Sequence, residues 1–297
     1  MAKTRELKRR IRSINSTKKI TRTMEMVATS KMKRAQDRVV TARPYAQALG
    51  AALADLLSPE LAERFPLLRN TLPPGKGGPK AAAVVLVTSN RGLAGAFNTN
   101  LIKLALQRTR ELEGQGYTVE LYGVGKKGIK FLQHARRTLK LARLDIGDRP
   151  TAAHAMELAT PLIAAYEAGQ LASVDVVYAN FKSALSTPPA MLQVLPVAPA
   201  ASGQRPAAGG NANYIIKPGA DEILAQLLPL YVKNQFYRAL VETAASEQGA
   251  RRTAMKNATD NATEILGKLT ITYNRARQAQ ITQELAEIVG GAAALAG

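Results

Sequence analysis

The C-terminal part of the chain is a helical run too long for an ordinary globular core. Residues 230–289 contain no proline and only two glycines, Gly249 and Gly267, so nothing interrupts a helix of about 60 residues and about 90 Å. A matching run without proline or glycine covers residues 4–43 and continues more loosely to Leu57. Two such runs at opposite ends of one chain predict an antiparallel pair of helices that forms a rod.

Alternate steps of four and three from Leu7 test the first run for a coiled-coil seam. Twelve of the fifteen positions reached, up to Leu56, are apolar. The three exceptions are consecutive and polar: Lys18, Thr21 and Glu25. Over that stretch the apolar stripe moves to Ile20, Met24 and Val27, which predicts a change of packing angle or of partner there.

The seam of the C-terminal run is thinner and falls on two candidate stripes. One comprises Ile265, Leu269, Thr272, Ala276 and Ala279, and the other Ile281, Leu285 and Ile288. Small seam residues let helices approach closely but bury little apolar area, about 25 cal/mol for each Å². We therefore expect the free rod to be weakly held and to need surroundings.

Charge is the most unusual feature of the composition. The 41 Lys and Arg exceed the 22 Asp and Glu by 19, and residues 1–43 alone hold 14 basic and 3 acidic residues. A second basic cluster contains Lys126, Lys127, Lys130, Arg136, Arg137, Lys140 and Arg143. Such a charge attracts nucleic acid, acidic protein surfaces or anionic lipid. Charge alone therefore supports an alternative reading, a basic coiled-coil nucleic-acid-binding protein.

Several classes of protein are disfavoured by what the sequence lacks. Without cysteine there is no disulfide, thiolate zinc site or thiol switch. The longest apolar run, residues 81–87, is far shorter than the roughly 20 residues of a membrane span. The N-terminus is basic but has no apolar segment of the secretory kind. We expect an intracellular protein that is soluble or peripheral to a membrane.

Between the helical runs, strands and helices alternate. Residues 58–80, rich in proline and glycine, predict a linker, and residues 197–220 a mobile loop and foot. In between we predict strands at 83–88, 117–124 and 174–181, helices at 98–113, 126–134 and 151–167, and a hairpin strand within 182–196. This order is typical of a mainly parallel sheet covered by helices. The predicted fold class is α/β: a Rossmann-like domain at 81–196 between coiled-coil helices at 1–57 and 221–297.

No segment of this domain carries a nucleotide or catalytic motif. The turn at residues 89–98 has neither the dinucleotide fingerprint nor a phosphate-binding loop, and in residues 123–128 the third glycine is misplaced for the fingerprint. The two histidines, His134 and His154, have no partner at metal-ligand spacing. We therefore expect no cofactor, no metal and no catalytic residue, and interpret the chain as a transmitter or scaffold.

Two segments resemble the gamma subunit of bacterial F-type ATP synthases. Residues 19–33 read KITRTMEMVATSKMK, and residues 273–292 read YNRARQAQITQELAEIVGGA. The turn at residues 89–98 is similar to the family's Ser-Asp-Arg-Gly-Leu-Cys-Gly turn, with Asn90 and Ala94 as departures. The likeness extends from residue 3 to residue 293.

The resemblance implies a non-catalytic subunit, the central rotor stalk of a proton-translocating ATP synthase. Its partners would be the alpha and beta subunits, the epsilon subunit and the ring of c subunits, without nucleic acid. It would lie at the cytoplasmic side of the bacterial cell membrane, held there only through the complex. Carried over by position, the residues expected to contact beta are Met24, Arg251, Arg277, Gln278, Thr282 and Glu284. Those expected to contact the c ring and epsilon are Tyr214 and Lys217, and Lys217 stands where an acidic residue is common.

Overall fold

The computed structural model describes residues 2–56, 64–69, 77–197 and 219–296. Its elements are α1 (Ala2–Leu56), a single 3-10 turn (Pro66–Leu68), β1 (Ala81–Val87), α2 (Phe97–Gly114), β2 (Thr118–Val124), α3 (Lys126–His134), β3 (Leu139–Arg143), α4 (Ala152–Glu167), β4 (Leu171–Ala179), β5 (Pro189–Leu195) and α5 (Ala220–Ala296). Nearly all of the predicted loop at 197–220, and more than half of the predicted linker at 58–80, lie outside the described residues.

The chain divides into two compact units. Unit 1 comprises Met1–Thr29 and Arg251–Gly297, and unit 2 comprises Ser30–Ala250. The helices α1 and α5 contribute to both. In the part of the chain that the structure describes, no helix has the length and hydropathy needed to cross a bilayer.

The two terminal helices are continuous, as the sequence predicted. Helix α1 is 55 residues long and includes Pro44, while α5 is 77 residues long and includes Pro229. Each proline removes one backbone hydrogen bond from its helix. Both lie in stretches where the helix packs on the core of unit 2, with Leu49 and Leu53 buried after Pro44 and Leu228 buried before Pro229. Packing therefore maintains the helices across positions of poor helix propensity.

Unit 2 contains a five-stranded sheet in the order β3-β2-β1-β4-β5. The first four strands are parallel, and β5 is antiparallel to β4. This confirms the predicted mainly parallel sheet and the hairpin strand. The strand β3 was missed, because its residues Lys140 and Arg143 were assigned to the basic cluster. It is an edge strand of alternating exposure, and charged side chains on an edge are common because they discourage pairing with another chain.

Helices cover both faces of the sheet, which explains the unbroken apolar sequence of β1. Val85 and Val87 face a core built with α4 and α5, whereas Val84 and Leu86 face a core built with α2. A parallel strand buried on both faces has no polar alternation, and a run of alanine and valine fits it.

One buried charge interrupts the apolar packing beneath α2. The carboxylate of Asp175, in β4, is fully buried, and its Oδ2 lies 2.9 Å from Nε of Arg108 on α2. Its Oδ1 has no hydrogen-bond partner in the described protein. Burial raises the pKa of Asp175, and the hydrogen bond from Arg108 opposes that rise. Because its pKa in the folded state is above that in the unfolded state, the ionisation of Asp175 reduces stability as pH rises.

We predict that Arg108→Met destabilises the fold by about 3–5 kcal/mol at neutral pH, because it leaves the buried carboxylate without its partner. The loss should shrink as pH falls to about 4, where the lone carboxylate is protonated more readily. Urea unfolding of the full chain at both pH values measures this, with Arg110→Met, an exposed neighbour, as the control. An equal loss at both pH values would contradict the assignment.

Candidate functional site

In unit 1, α1 and α5 run antiparallel. Thr4 Oγ1 lies 2.9 Å from Gln280 Oε1, and Thr259 Oγ1 donates to Thr21 Oγ1 at 2.8 Å. Residue numbers thus rise along one helix as they fall along the other. The predicted antiparallel coiled coil is therefore confirmed for this unit.

The predicted shift of the α1 stripe is wrong. Ile20 and Val27 are 59% and 51% exposed, and Met24 is half-buried. The polar heptad positions Lys18, Thr21 and Glu25 remain on the inner side, with Thr21 buried. Within the seam, the hydroxyl groups of Thr21 and Thr259 hydrogen-bond to each other. The long aliphatic stem of Lys18 can cover apolar surface while its ammonium group reaches water. The original heptad phase is kept throughout α1, and Ile20 and Val27 point outward.

The predicted α5 stripes are wrong in phase. The inward positions are Met255, Thr259, Ala262, Leu266, Leu269, Tyr273, Ala276 and Gln280, which are buried or half-buried and alternate in steps of four and three. Of the first predicted stripe, Leu269 and Ala276 are inward, whereas Ile265, Thr272 and Ala279 are exposed. Counting apolar residues selected Ile265 over Leu266, because the true seam includes polar Thr259 and Gln280. The facing threonines were the signal that could have fixed the phase.

Unit 1 consequently exposes large apolar side chains along its length. On α1 these are Ile20, Met26 and Val27, and on α5 they are Ile265, Ile271, Ile281, Leu285, Ile288 and Val289. The four at the end of α5 are 47–68% exposed. Residues 281–292 are all exposed, and Gln280 lies opposite Thr4, near the start of α1. Exposed apolar side chains in this number are typical of a surface that binds a protein or a membrane.

The sequence-predicted contact residues divide into two groups. Arg277, Gln278, Thr282 and Glu284 are exposed on the last part of α5, where Thr282 Oγ1 donates to the Gln278 carbonyl at 3.0 Å. Glu284 Oε1 accepts a hydrogen bond from Gln280 Nε2 at 2.7 Å. From the helical periodicity, Arg277 and Glu284 lie on one side of the face that carries Ile281, Leu285 and Ile288, and Gln278 and Thr282 lie on the other side.

The remaining predicted residues are not exposed, or are not described. Met24 is half-buried and Arg251 is buried. Tyr214 and Lys217, predicted to contact the c ring and epsilon, lie outside the described residues. Sequence reasoning did not identify Met26 and Ile271, which are 65% and 63% exposed, because it treated apolar residues as candidates for the seam.

The backbone N–H groups at the start of α3 are not free to bind a phosphate. The first backbone N–H groups of the helix are already bound by the chain: Lys126 N donates to Asn90 Oδ1 at 2.8 Å, Lys127 N to the Ser89 carbonyl at 3.1 Å, and Gly128 N to Thr88 Oγ1 at 2.9 Å. A phosphate at a helix N-terminus needs these donors. The turn after β1 therefore serves as the cap of α3.

Asn90 performs a task that an aspartate at this position could not. While its Oδ1 accepts from Lys126, its Nδ2 donates to the carbonyls of Leu144 and Ile146 at 3.1 and 3.0 Å. An ionised aspartate has no hydrogen to donate. Asn90 thus links the loops that follow β1, β2 and β3, at the carboxyl ends of these parallel strands.

Three of the seven residues of the second basic cluster pair with carboxylates of the chain itself. Arg137 pairs with Glu113 at 2.6 Å and Lys140 with Glu120 at 2.7 Å. Arg143 pairs with both Asp145 and Glu157 at 2.6 Å, and its hydrogen bond lowers the pKa of Asp145 to about 2. The cluster is therefore less attractive to a polyanion than its sequence suggests.

We predict that Gly125→Ala destabilises the fold by at least about 2 kcal/mol more than Gly169→Ala. Both glycines have positive φ, +91° and +69°, so both substitutions incur backbone strain. At Gly125 a Cβ would also meet the Thr88 carbonyl oxygen at 2.1 Å, whereas no atom lies within 4 Å at Gly169. Denaturant unfolding of the two variants compares them directly, and equal losses would show that the close approach to Thr88 is unimportant.

Comparison with known proteins gives one consistent result. The ATP synthase family model matches residues 3–295. The ATP synthase gamma chain of Gemmatimonas aurantiaca is 58% identical over the whole of both chains, and that of Fuscovulum blasticum is 44% identical over 99% of this chain and 100% of its own.

Solved structures share the fold. The rotor-containing assembly of Euglena gracilis mitochondrial ATP synthase (OSCP, F1 and c-ring) has a chain with a TM-score of 0.67 and 20% identity, covering 99% of this chain and 95% of its own. A chain in the central stalk and c-ring structure from Tetrahymena thermophila has a TM-score of 0.59 and 24% identity, covering 80% and 99%. From the full-length sequence matches, the chain belongs to the family of ATP synthase gamma chains.

Proposed function

We propose that the chain is the central rotor stalk of a proton-translocating F-type ATP synthase, coupling rotation of a c ring to ATP synthesis or hydrolysis on the beta subunits. The observation that carries this proposal is the two-helix rod of unit 1, whose seam includes polar residues while large apolar side chains face outward. Alone, such a rod leaves apolar surface in water. Inside a close-fitting ring of alpha and beta subunits, that surface is buried.

Transmission of force requires a stiff and asymmetric shaft. The antiparallel pair supplies stiffness, and the single helix beyond Gln280 supplies a tip of different cross-section. As the shaft turns, each beta subunit meets a different face of it. These contacts favour different nucleotide states of beta, so rotation shifts the populations of those states. The chain itself needs no catalytic residue for this role.

The contacts proposed for beta follow the exposure of the side chains. Arg277, Gln278, Thr282 and Glu284 present charge and hydrogen-bonding groups on α5, close to the apolar tip. Met24 contributes part of its side chain to the surface of α1. Arg251 is buried on α5, where it would support that helix from the inside. Basic residues concentrated in α1 suit a bearing whose stators present acidic loops.

We assign the attachment to the c ring and epsilon to the foot of the chain, including Tyr214 and Lys217. The subunit would then lie at the cytoplasmic face of the bacterial cell membrane and be held there through its partners. The match to gamma chains throughout the sequence supports this location, since it includes the foot.

The direct test is purification of the tagged chain from membranes of the source cell, with identification of the proteins that accompany it. Alpha, beta, epsilon and c subunits in fixed ratio, resistant to nuclease, are the expected result. Recovery with nucleic acid, lost after nuclease treatment, would overturn the proposal.

We predict that Met24→Lys leaves folding intact but impairs coupling. A lysine stem can occupy the half-buried position, while its ammonium would pair with an acidic stator loop at some rotor angles only, adding on the order of 1 kcal/mol of ruggedness to rotation. Proton pumping per ATP hydrolysed, measured in vesicles, should fall. Thr23→Lys, which adds the same charge at an exposed neighbouring position, is the control; an unaltered pumping ratio in Met24→Lys would exclude this contact.

We predict that deleting residues 284–297 permits assembly but loosens it, and lowers turnover of the complex by a factor of about ten or less. The shaft retains its seam up to Gln280, so the deletion removes only local contacts of the tip. ATP hydrolysis and subunit retention on gel filtration measure the two effects. If the truncated chain failed to fold while the full chain folded, the tip would belong to a structural core instead.

A further inference from the structure

Within unit 2, the segment that follows β4 lies between the two terminal helices. Phe181 is 4% exposed and packs with Ala35 and Val39 of α1 and with Val241 and Ala245 of α5. An aromatic side chain so placed acts as a wedge, since it fills the space where the two helices would otherwise leave a groove. Phe181 thereby touches both helices at once, in addition to the core that α5 shares with β1 and α4.

The backbone at this point is bound by side chains of the helices. Thr243 Oγ1 accepts from Ala179 N at 3.2 Å, and Ser246 Oγ donates to the Ala179 carbonyl at 3.2 Å. Glu242 Oε2 accepts from Phe181 N at 3.3 Å, and Arg43 Nη2 donates to the Phe181 carbonyl at 3.1 Å. The backbone N–H and C=O groups of Ala179 and Phe181 are thus bound by side chains of α5 and α1 rather than by another strand.

The burial of these groups makes the attachment resistant to slippage. Glu242, Thr243 and Ser246 are all buried, and Glu242 Oε1 is also held by Arg238 Nε at 2.8 Å. If α5 slid or turned against β4, the N–H and C=O groups of Ala179 and the N–H of Phe181 would lose these partners on α5 in a buried place, which is costly. An exposed salt bridge would give way far more easily.

We propose that Phe181 and Glu242 are positioning residues for coupling: together they form a joint that makes the sheet domain and the two long helices rotate as one body. This inference rests on the proposed rotor function and deepens it. The joint lies within one compact unit, and α1 and α5 both continue from it into unit 1. Torque that enters through the sheet domain is therefore passed within unit 2 to both α1 and α5.

The test uses the assembled complex containing the chain with Phe181→Ala, Phe181→Leu or Glu242→Gln. ATP hydrolysis, ATP-driven proton pumping and single-molecule torsional fluctuation of the rotor are measured on the same preparations. We expect Phe181→Ala to widen the torsional fluctuation of the rotor and to lower the protons pumped per ATP by up to about half, because the cavity loosens the joint while the core that α5 shares with the sheet still holds. Phe181→Leu, which retains most of the volume, should restore the ratio and the torsional stiffness.

Glu242→Gln keeps the shape of the side chain and serves if the cavity variant fails to assemble. Its amide cannot accept from both Phe181 N and Arg238, so exchange of the Phe181 amide hydrogen should accelerate by about tenfold, together with a wider torsional fluctuation. The matched control is Glu264→Gln, which breaks an exposed pair of the same spacing with Lys268 on the same helix. Leu185→Ala, at an 84% exposed position of the neighbouring turn, is a second control.

The proposed joint would be excluded if Phe181→Ala lowered hydrolysis and pumping in the same proportion. It would also be excluded if the variants could not be distinguished from their controls. Failure of the unmodified chain to support pumping in any complex would instead overturn the proposed rotor function. The two failures are therefore separable.

Discussion

The heptad seam between α1 and α5 in unit 1 is the interaction on which the interpretation of the surface depends. Its phase decides which side chains are inside, and it is kept even where the inner positions are Lys18, Thr21 and Glu25. Polar residues in a seam reduce stability but specify register, because a shifted pairing would leave them facing apolar groups. The hydrogen bond between Thr21 and Thr259 provides such a specification for an antiparallel pair.

The same seam explains why the rod presents apolar residues outward. A pair of helices that placed all of its isoleucine, valine and methionine inside would be more stable alone and would have a plain polar surface. Here Ile20, Val27 and Ile271 are exposed instead, so part of the free energy available from apolar burial is realised only when a partner surrounds the rod. In the proposed function, stability of the isolated subunit is thereby exchanged for a surface that the alpha and beta subunits would cover.

The fold could be predicted to a large extent from composition and periodicity, but the phase of the seam could not. Long stretches without proline, and with two glycines at most, identified α1 and α5, and a short apolar run identified β1 as a strand. The edge strand β3 escaped because Lys140 and Arg143 carry the charge expected of a solvated loop. On α5, Ile265 and Leu266 are adjacent and both apolar, so only the partner helix determines which of them is inside. The contacts with other subunits have no signal of this kind, and those residues came from the resemblance alone.

Polar groups have opposite uses in the two units. In unit 1 four polar residues of α5 are exposed: Arg277, Gln278, Thr282 and Glu284. Their contacts with a partner can form and break, because water replaces each hydrogen bond that is lost. In unit 2 the polar groups of Glu242, Thr243 and Ser246 are buried and bound to backbone, so no water is at hand to replace a broken bond. A rotating shaft requires both properties: weak, replaceable contacts at the bearing and strong, irreplaceable ones where the shaft is attached. Along α5 the buried Glu242, Thr243 and Ser246 precede Arg251, whereas the exposed Arg277, Gln278, Thr282 and Glu284 follow Tyr273.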